Sequence, residues 1–556
     1  MRLGVLTLFG LVTVVRGGVM EDIASGTFSM KLFESGVGLA NKNEDGIAKF
    51  TSGVGGMLGG LNKLDGFQSD GLKKLVEGMK GPTPGKPTVR KNIYSLAEQE
   101  RDDFFTLLKL MKNTTAEDGR ARYGEVFATY DEITIQHAYA TLASDCDRGH
   151  FGPAMPWFHR ILTRRVEIVL AAIAEVEGLE FPGMPYWDFV EDLKAGKWEE
   201  AKIFSDDYFG GEGDPSDSWQ IQNGQLVDGW EISESDHPRF KNAFGLLRAP
   251  YNPNKARKLT RRFKSYCGVP FPEVTSSGQD ACVKLKQPAG VLGFLACADP
   301  TVHSSPHFVI GGTWNSSDGI DCFALQVPAS SFPKEEGDIL VLGGTPGPYV
   351  DQWAAGCVQC DPCAPEADPT ECFCTYTAET EKEAKDCVDN ALLSKAFPVW
   401  GLGVLGDMSD RPTATNDPLF WLHHANFDRA FTAWQVHNVE LAKAYYGAPD
   451  KWPLPKLREC YGHALDDVVN SEDPFINVLE DTPADAPPTL RQIIAATVPG
   501  WTLPYDYDDL PAGMTGVLEK QRSAFAEKGA GPLETPAAAE GGQLDLSGLK
   551  FKFPGN

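Results

Sequence analysis

Helical periodicity is clearest late in the chain. There Phe420, His424, Phe427, Phe431 and Trp434 recur at spacings of three and four and predict an amphipathic helix within 417–446. Asp417-Pro418 marks its start, with Asp as N-cap and Pro at the first helical position, where the missing N–H costs nothing. Asp299-Pro300 repeats that signature. Ser95 and Glu98 form a capping box that opens a helix through Leu110, and residues 159–176 make another long amphipathic run. Residues 209–230 read as loops. Upstream, about 19–87 is rich in Gly and Lys, with linker-like stretches at 51–61 and 81–87. The pattern predicts a mainly helical body beginning near Val89.

A histidine inside an apolar stripe is ordinarily a satisfied core residue, and partner histidines change that reading. His303 and His307 stand four apart, so on a helix both imidazoles reach one point. His137, His150 and His159 form a second group upstream. Six of the ten histidines thus fall into two groups of three, a donor set that suits copper or zinc, with no carboxylate or thiolate at matching positions. The stripe selects His424 over its neighbour His423.

These segments resemble the tyrosinase family of type-3 dicopper proteins. The family's first copper motif is similar to His150–Arg160, with Pro156-Trp157 and His159-Arg160 in place, followed by 184–188 (Met-Pro-Tyr-Trp-Asp). Its second is similar to His303, His307, Gly311-Gly312 and the run from Asp417 through Phe420, His423 and His424 to Asp428. Residue by residue, the resemblance implies one copper on His137, His150 and His159 and a second on His303, His307 and His424. It makes His423 and Ser304 neighbours of the ligands, and gives Asp428 the role of fixing an imidazole tautomer. It further implies a mainly α fold: a four-helix-bundle dicopper core with long loops. One departure is large. His307 and His424 are more than a hundred residues apart, and the extra material, about 315–397, is a cysteine-rich insertion.

Charge and cysteines refine the picture. A net charge of −26 argues against nucleic acid and anionic membrane surfaces as partners. Met1-Arg2 and the apolar run 3–15 read as a signal peptide ending near Gly17, too short an apolar stretch to span a membrane comfortably. A secreted or lumenal protein without a stable membrane anchor is expected. Asn113 and Asn315 head glycosylation sequons. Of twelve cysteines, seven lie within 322–387 and five outside (Cys146, Cys267, Cys282, Cys297, Cys460), so disulfides are expected, and full pairing requires at least one bridge between the two sets. His237, His437 and His463 sit among polar residues and are expected at the surface.

The expected organisation is a signal peptide (1–17), a Gly-rich segment or propeptide (18–87), a dicopper catalytic domain (88–510) ending near Tyr505-Asp506-Tyr507, which resembles the family's closing mark, and a C-terminal tail (511–556). The expected function is a secreted copper oxidase that turns o-diphenols into o-quinones with O2, taking a small phenol as partner. An oxygen-binding or non-catalytic protein of the same fold is the alternative. In the resembling tyrosinases a water held by a Glu and an Asn is one proposed base for monophenol hydroxylation. Here those places hold Leu292, before Gly293-Phe294, and Ser304, while Asp299 reads as a helix cap. Weak or absent monophenol hydroxylation is expected.

Overall fold

The computed structural model describes residues 88–141, 149–150, 154–237, 240–266, 269–270, 277–285, 291–314, 358–360, 362, 364, 374–376, 404–438, 490, 497, 499 and 503–527. The expected signal peptide and Gly-rich segment, Asn315, Cys146, His463 and nearly all of the insertion lie outside them. The helices are α1 (Glu98–Asn113), α2 (Ala116–Tyr123), α3 (Tyr130–Thr141), α4 (Met155–Glu177), α5 (Phe189–Ala195), α6 (Ser277–Lys284), α7 (Val291–Ala298), α8 (Ser305–Gly311), α9 (Leu419–His437) and α10 (Met514–Glu527). The strands are short: β1 (Thr88–Arg90), β2 (Ser265–Tyr266), β3 (Val269–Pro270), β4 (Thr313–Trp314), β5 (Val358–Cys360), β6 (Cys374–Tyr376), β7 (Val404–Leu405) and β8 (Tyr505–Tyr507).

The fold is mainly α, with α3, α4, the α7–α8 unit and α9 forming the core. Its centre is aromatic. Trp157 of α4 meets Phe431 of α9 edge-on at 5.0 Å, and Phe294 of α7 packs against Phe427, Phe431 and Trp434. Each such side chain, fully buried, stabilises the fold by roughly 1.5–3 kcal/mol. Both α4 and α9 are buried on nearly every face rather than along one stripe, as befits helices at the centre of a bundle. Polar residues on α9 are paired to permit this: Asn426 donates to Gln279 (3.0 Å) and Arg429 to Asp188 (2.8 Å).

Several helix boundaries differ from the sequence pattern. Helix α1 opens at Glu98, and the Glu100 carboxylate accepts the Ala97 N–H at 2.9 Å, so the box sits two residues beyond Ser95. Helix α9 opens at Leu419. Asp417 accepts the Leu419 N–H (3.1 Å), but its carboxylate is mainly gripped by Arg261 at 2.6 and 2.7 Å. Nor does Asp299-Pro300 start a helix: α7 runs on through a π-helical turn, Asp299–Ser304, directly into α8. Such widened turns occur often at functional sites. Beyond Tyr507, α10 packs back with Met514 and Leu518 buried, an element that an Ala- and Pro-rich tail does not suggest.

Strand pairing closes the body. β1 pairs in parallel with β8, Thr88 opposite Tyr505 and Arg90 opposite Tyr507. β4 pairs antiparallel with β7, so the chain on either side of 315–403 meets at one ladder. Within the insertion, β5 and β6 pair antiparallel. A disulfide between Cys282 and Cys297 ties α6 to α7.

Candidate metal centre

The two histidine groups come together in the core. His137 lies on α3, His150 just before α4 and His159 in the first turns of α4; their ligand atoms all fall within 4.8 Å of one another. His303 in the π turn, His307 on α8 and the adjacent His423 and His424 on α9 form the second group, equally close. All seven side chains are buried. The groups adjoin: the His159 ring stacks on that of His424 at 4.2 Å, and His303 lies 5.8 Å from His159 and 6.2 Å from His150.

Hydrogen bonds fix how these rings face. The Nδ1 atoms of His137, His159 and His307 lie 2.9, 2.9 and 3.0 Å from the main-chain carbonyls of Pro412, Met155 and Met408. A carbonyl can only accept, so each ring carries a proton on Nδ1 and turns Nε2 inward. His303 Nδ1 has a different partner, Asp299 Oδ1, at 2.8 Å.

The donor set fits a metal pair. Nε2 of His159 and Nε2 of His303 are buried with no hydrogen-bond partner among the described residues, a costly arrangement unless something else binds there. His307 Nε2 lies 3.1 Å from His424 Nε2. Two imidazoles on one tetrahedral ion, with bonds of about 2.0 Å, stand about 3.3 Å apart. Burial depresses the pKa of His159, His307 and His424 well below the usual imidazole value, and neighbouring histidines add to the effect. The rings are therefore neutral, as metal ligation requires.

His423 and His424 make different contacts. His424 stacks on Phe420 at 4.0 Å and turns Nε2 toward His307. His423 donates from Nε2 to the His303 main-chain carbonyl at 2.8 Å, so that nitrogen is engaged away from the ligand atoms. Ser304 donates to Asp299 Oδ1 at 2.9 Å, beside the His303 ring.

Several expectations require correction. Asp428 touches no imidazole. Its carboxylate accepts from Arg160 Nε (2.5 Å), Arg90 Nη1 (3.3 Å), Tyr505 OH (2.7 Å) and Tyr507 OH (2.6 Å), because one turn past His424 it faces α4 and the β1–β8 pair instead of the rings. Asp299 is not a cap, since its helix has already begun; its carboxylate backs His303 four residues on. Burial alone would raise its pKa, but hydrogen bonds from His303 and Ser304 bring it below the usual carboxylate value. The i, i+4 spacing of Asp299 and His303 was the available signal. The side chain of Leu292 lies outside the described residues. His237 is also not at the surface as expected: it is half-buried, 2.7 Å from the Tyr139 hydroxyl and stacked on Phe240, and His437 is half-buried too.

Glycines let the backbones close around this site. A Cβ on Gly311 would stand 2.3 Å from Ser409 N, and one on Gly406 would stand 2.0 Å from Gly311 O, so the end of α8 and the 406–409 segment touch main chain to main chain.

Residues 128–321 and 374–437 match the common central domain of tyrosinase. The tyrosinase of Bos taurus is 25% identical over 290 residues, 44% of this chain and 52% of its own. That of Canis lupus familiaris is 26% identical over 277 residues, 42% of this chain and 49% of its own. The chain thus spans about half the length of the curated relatives it matches. Among solved structures, a polyphenol oxidase of Thermothelomyces thermophila is similar with a TM-score of 0.36 and 15% identity, covering 84% of this chain and 99% of that one. With its paired histidine groups and this central domain, the chain belongs to the tyrosinase family.

Proposed function

We propose that the protein is a copper-dependent phenol oxidase that converts o-diphenols to o-quinones with O2. The observation that carries this reading is the pair of buried imidazole groups, with the Nε2 atoms of His137, His159 and His307 turned inward. His137, His150 and His159 would hold one copper, and His303, His307 and His424 the other. The copper pair, when bound, supplies the transfer of electrons from catechol to O2. The chain's own residues fix ring tautomers, keep water from the ligand atoms and hold both groups rigid. His423 positions His303 through its carbonyl, and Asp299 positions the same ring through Nδ1.

In this reading monophenols are hydroxylated weakly or not at all. Hydroxylation requires removal of the phenolic proton, and a positioned general base is typically worth about 10²–10⁴ in rate. Ser304 gives its proton to Asp299 Oδ1, the oxygen that also binds His303, so this carboxylate is engaged in holding a ligand ring. Residues 88–510 form the catalytic domain, following a signal peptide and a Gly-rich segment, and the protein is secreted. In support, among the described residues no helix is long and apolar enough to cross a membrane, and the Asn113 sequon is exposed.

Oxygen uptake with a catechol and its matching monophenol tests the proposal. Rapid uptake on the catechol and at most slow uptake on the monophenol are expected. Comparable, lag-free rates would overturn the specificity, and no uptake on either by copper-loaded protein would favour the oxygen-binding or non-catalytic alternative.

A further inference from the structure

One six-residue stretch, 407–412, touches both histidine groups. His307 of one group and His137 of the other sit on different helices, yet both give their Nδ1 protons to this stretch, at Met408 O (3.0 Å) and Pro412 O (2.9 Å). The stretch is itself bolted in place by two buried carboxylates that meet neither imidazole. Asp407 accepts from Arg248 Nε (2.9 Å) and Nη2 (3.2 Å), and from the Thr260 N–H (2.8 Å) and hydroxyl (2.9 Å). Asp410 Oδ2 accepts from the Ala249 N–H (3.1 Å), Asn252 Nδ2 (2.9 Å) and the Thr413 hydroxyl (2.8 Å). Loop 248–260 therefore sets where the two carbonyls lie.

We propose that residues 407–412 are a common clamp for both metal ions, with Asp407 and Asp410 as positioning residues acting through Met408 and Pro412. A carbonyl that moves by a few tenths of an ångström loosens its imidazole's orientation. Because the two carbonyls share one short rigid piece of chain, both ligands loosen together. The Gly311–Ser409 contact transmits the same displacement to α8, which carries His307. The two binding sites are thus mechanically one unit, although their ligands come from separate halves of the sequence.

This inference rests on the dicopper reading, and metal affinity separates the two: oxygen uptake tests the oxidase, ion binding tests the clamp. The experiment is chelator competition with copper(I), resolving two binding steps assigned through His159→Ala and His424→Ala, each of which leaves one strong site. Asp410→Ala is expected to weaken both steps by about tenfold or more, the usual effect of losing support behind ligands. Asp410→Asn, which keeps an acceptor oxygen, should restore most of that loss, and Thr413→Val should shift both steps less but in the same direction. Should Asp410→Ala fail to fold, Thr413→Val decides. A folded variant in which only one step weakens, or neither, overturns the clamp. Wild-type protein that binds fewer than two ions removes both the clamp and the reading beneath it.

Discussion

Asp299 Oδ1 lies 2.8 Å from His303 Nδ1, so a carboxylate holds this imidazole where main-chain carbonyls hold those of His137, His159 and His307. An anionic partner both orients the ring and raises its strength as a donor. Asp299→Asn should therefore weaken the ion held by His303, His307 and His424 by about 10- to 100-fold and leave the other ion nearly unchanged. Stepwise copper titration checks this. Equal weakening of both ions, or of neither, would refute it.

The adjacent histidines give a sharper contrast. His424→Ala should lose one of two coppers and all oxidase activity, because it removes the Nε2 that faces His307. His423→Ala should retain both ions with reduced stability, since it removes a hydrogen bond to the His303 carbonyl and a packed ring. Metal content measured on the two variants decides, and the reverse order would contradict the assignment.

Asp428 belongs to a network that ties α9 to α4 and to the paired strands. Asp428→Ala leaves Arg160 buried without its carboxylate partner, while Arg90 keeps Glu167, and breaking such a buried pair costs about 3–5 kcal/mol. Denaturant unfolding measures it. A loss of under about 1 kcal/mol, typical of exposed pairs, would mean that the network is not buried as described.

Acid should destabilise the protein through Glu167. Burial alone would raise its pKa, but the Arg90 and Arg164 guanidiniums at 2.9 and 2.8 Å overcome that and bring it to about 2 from 4.5. The folded value lies below the unfolded one, so the stabilisation is fully present above about pH 4.5 and is lost as pH falls toward 2. It amounts to roughly 3 kcal/mol. Glu167→Gln, measured by unfolding at a series of pH values, should flatten the dependence in that window. An unchanged slope would show that other carboxylates govern it.

The ligand candidates were legible because metal binding imposes spacing: four residues from His303 to His307, nine from His150 to His159, and a stripe that singles out His424. What holds the ligands was less legible. Met408 and Pro412 act through carbonyls, which any residue possesses, so no side-chain pattern marks them. Asp428 was visible as a carboxylate one turn past His424, but its direction depends on Arg160 and on strands β1 and β8, contributed from opposite ends of the domain. Helix starts misled for a related reason. Asp417 and Asp299 both precede proline, yet Arg261, distant in sequence, and His303, one turn on, claim their carboxylates.

Copper stoichiometry after reconstitution tests the central claim most directly. Six imidazoles in two adjoining groups predict two coppers per chain in the wild type, falling to one in His159→Ala and in His424→Ala. A wild-type protein that retains one ion or none, with its fold intact by circular dichroism, would contradict the account.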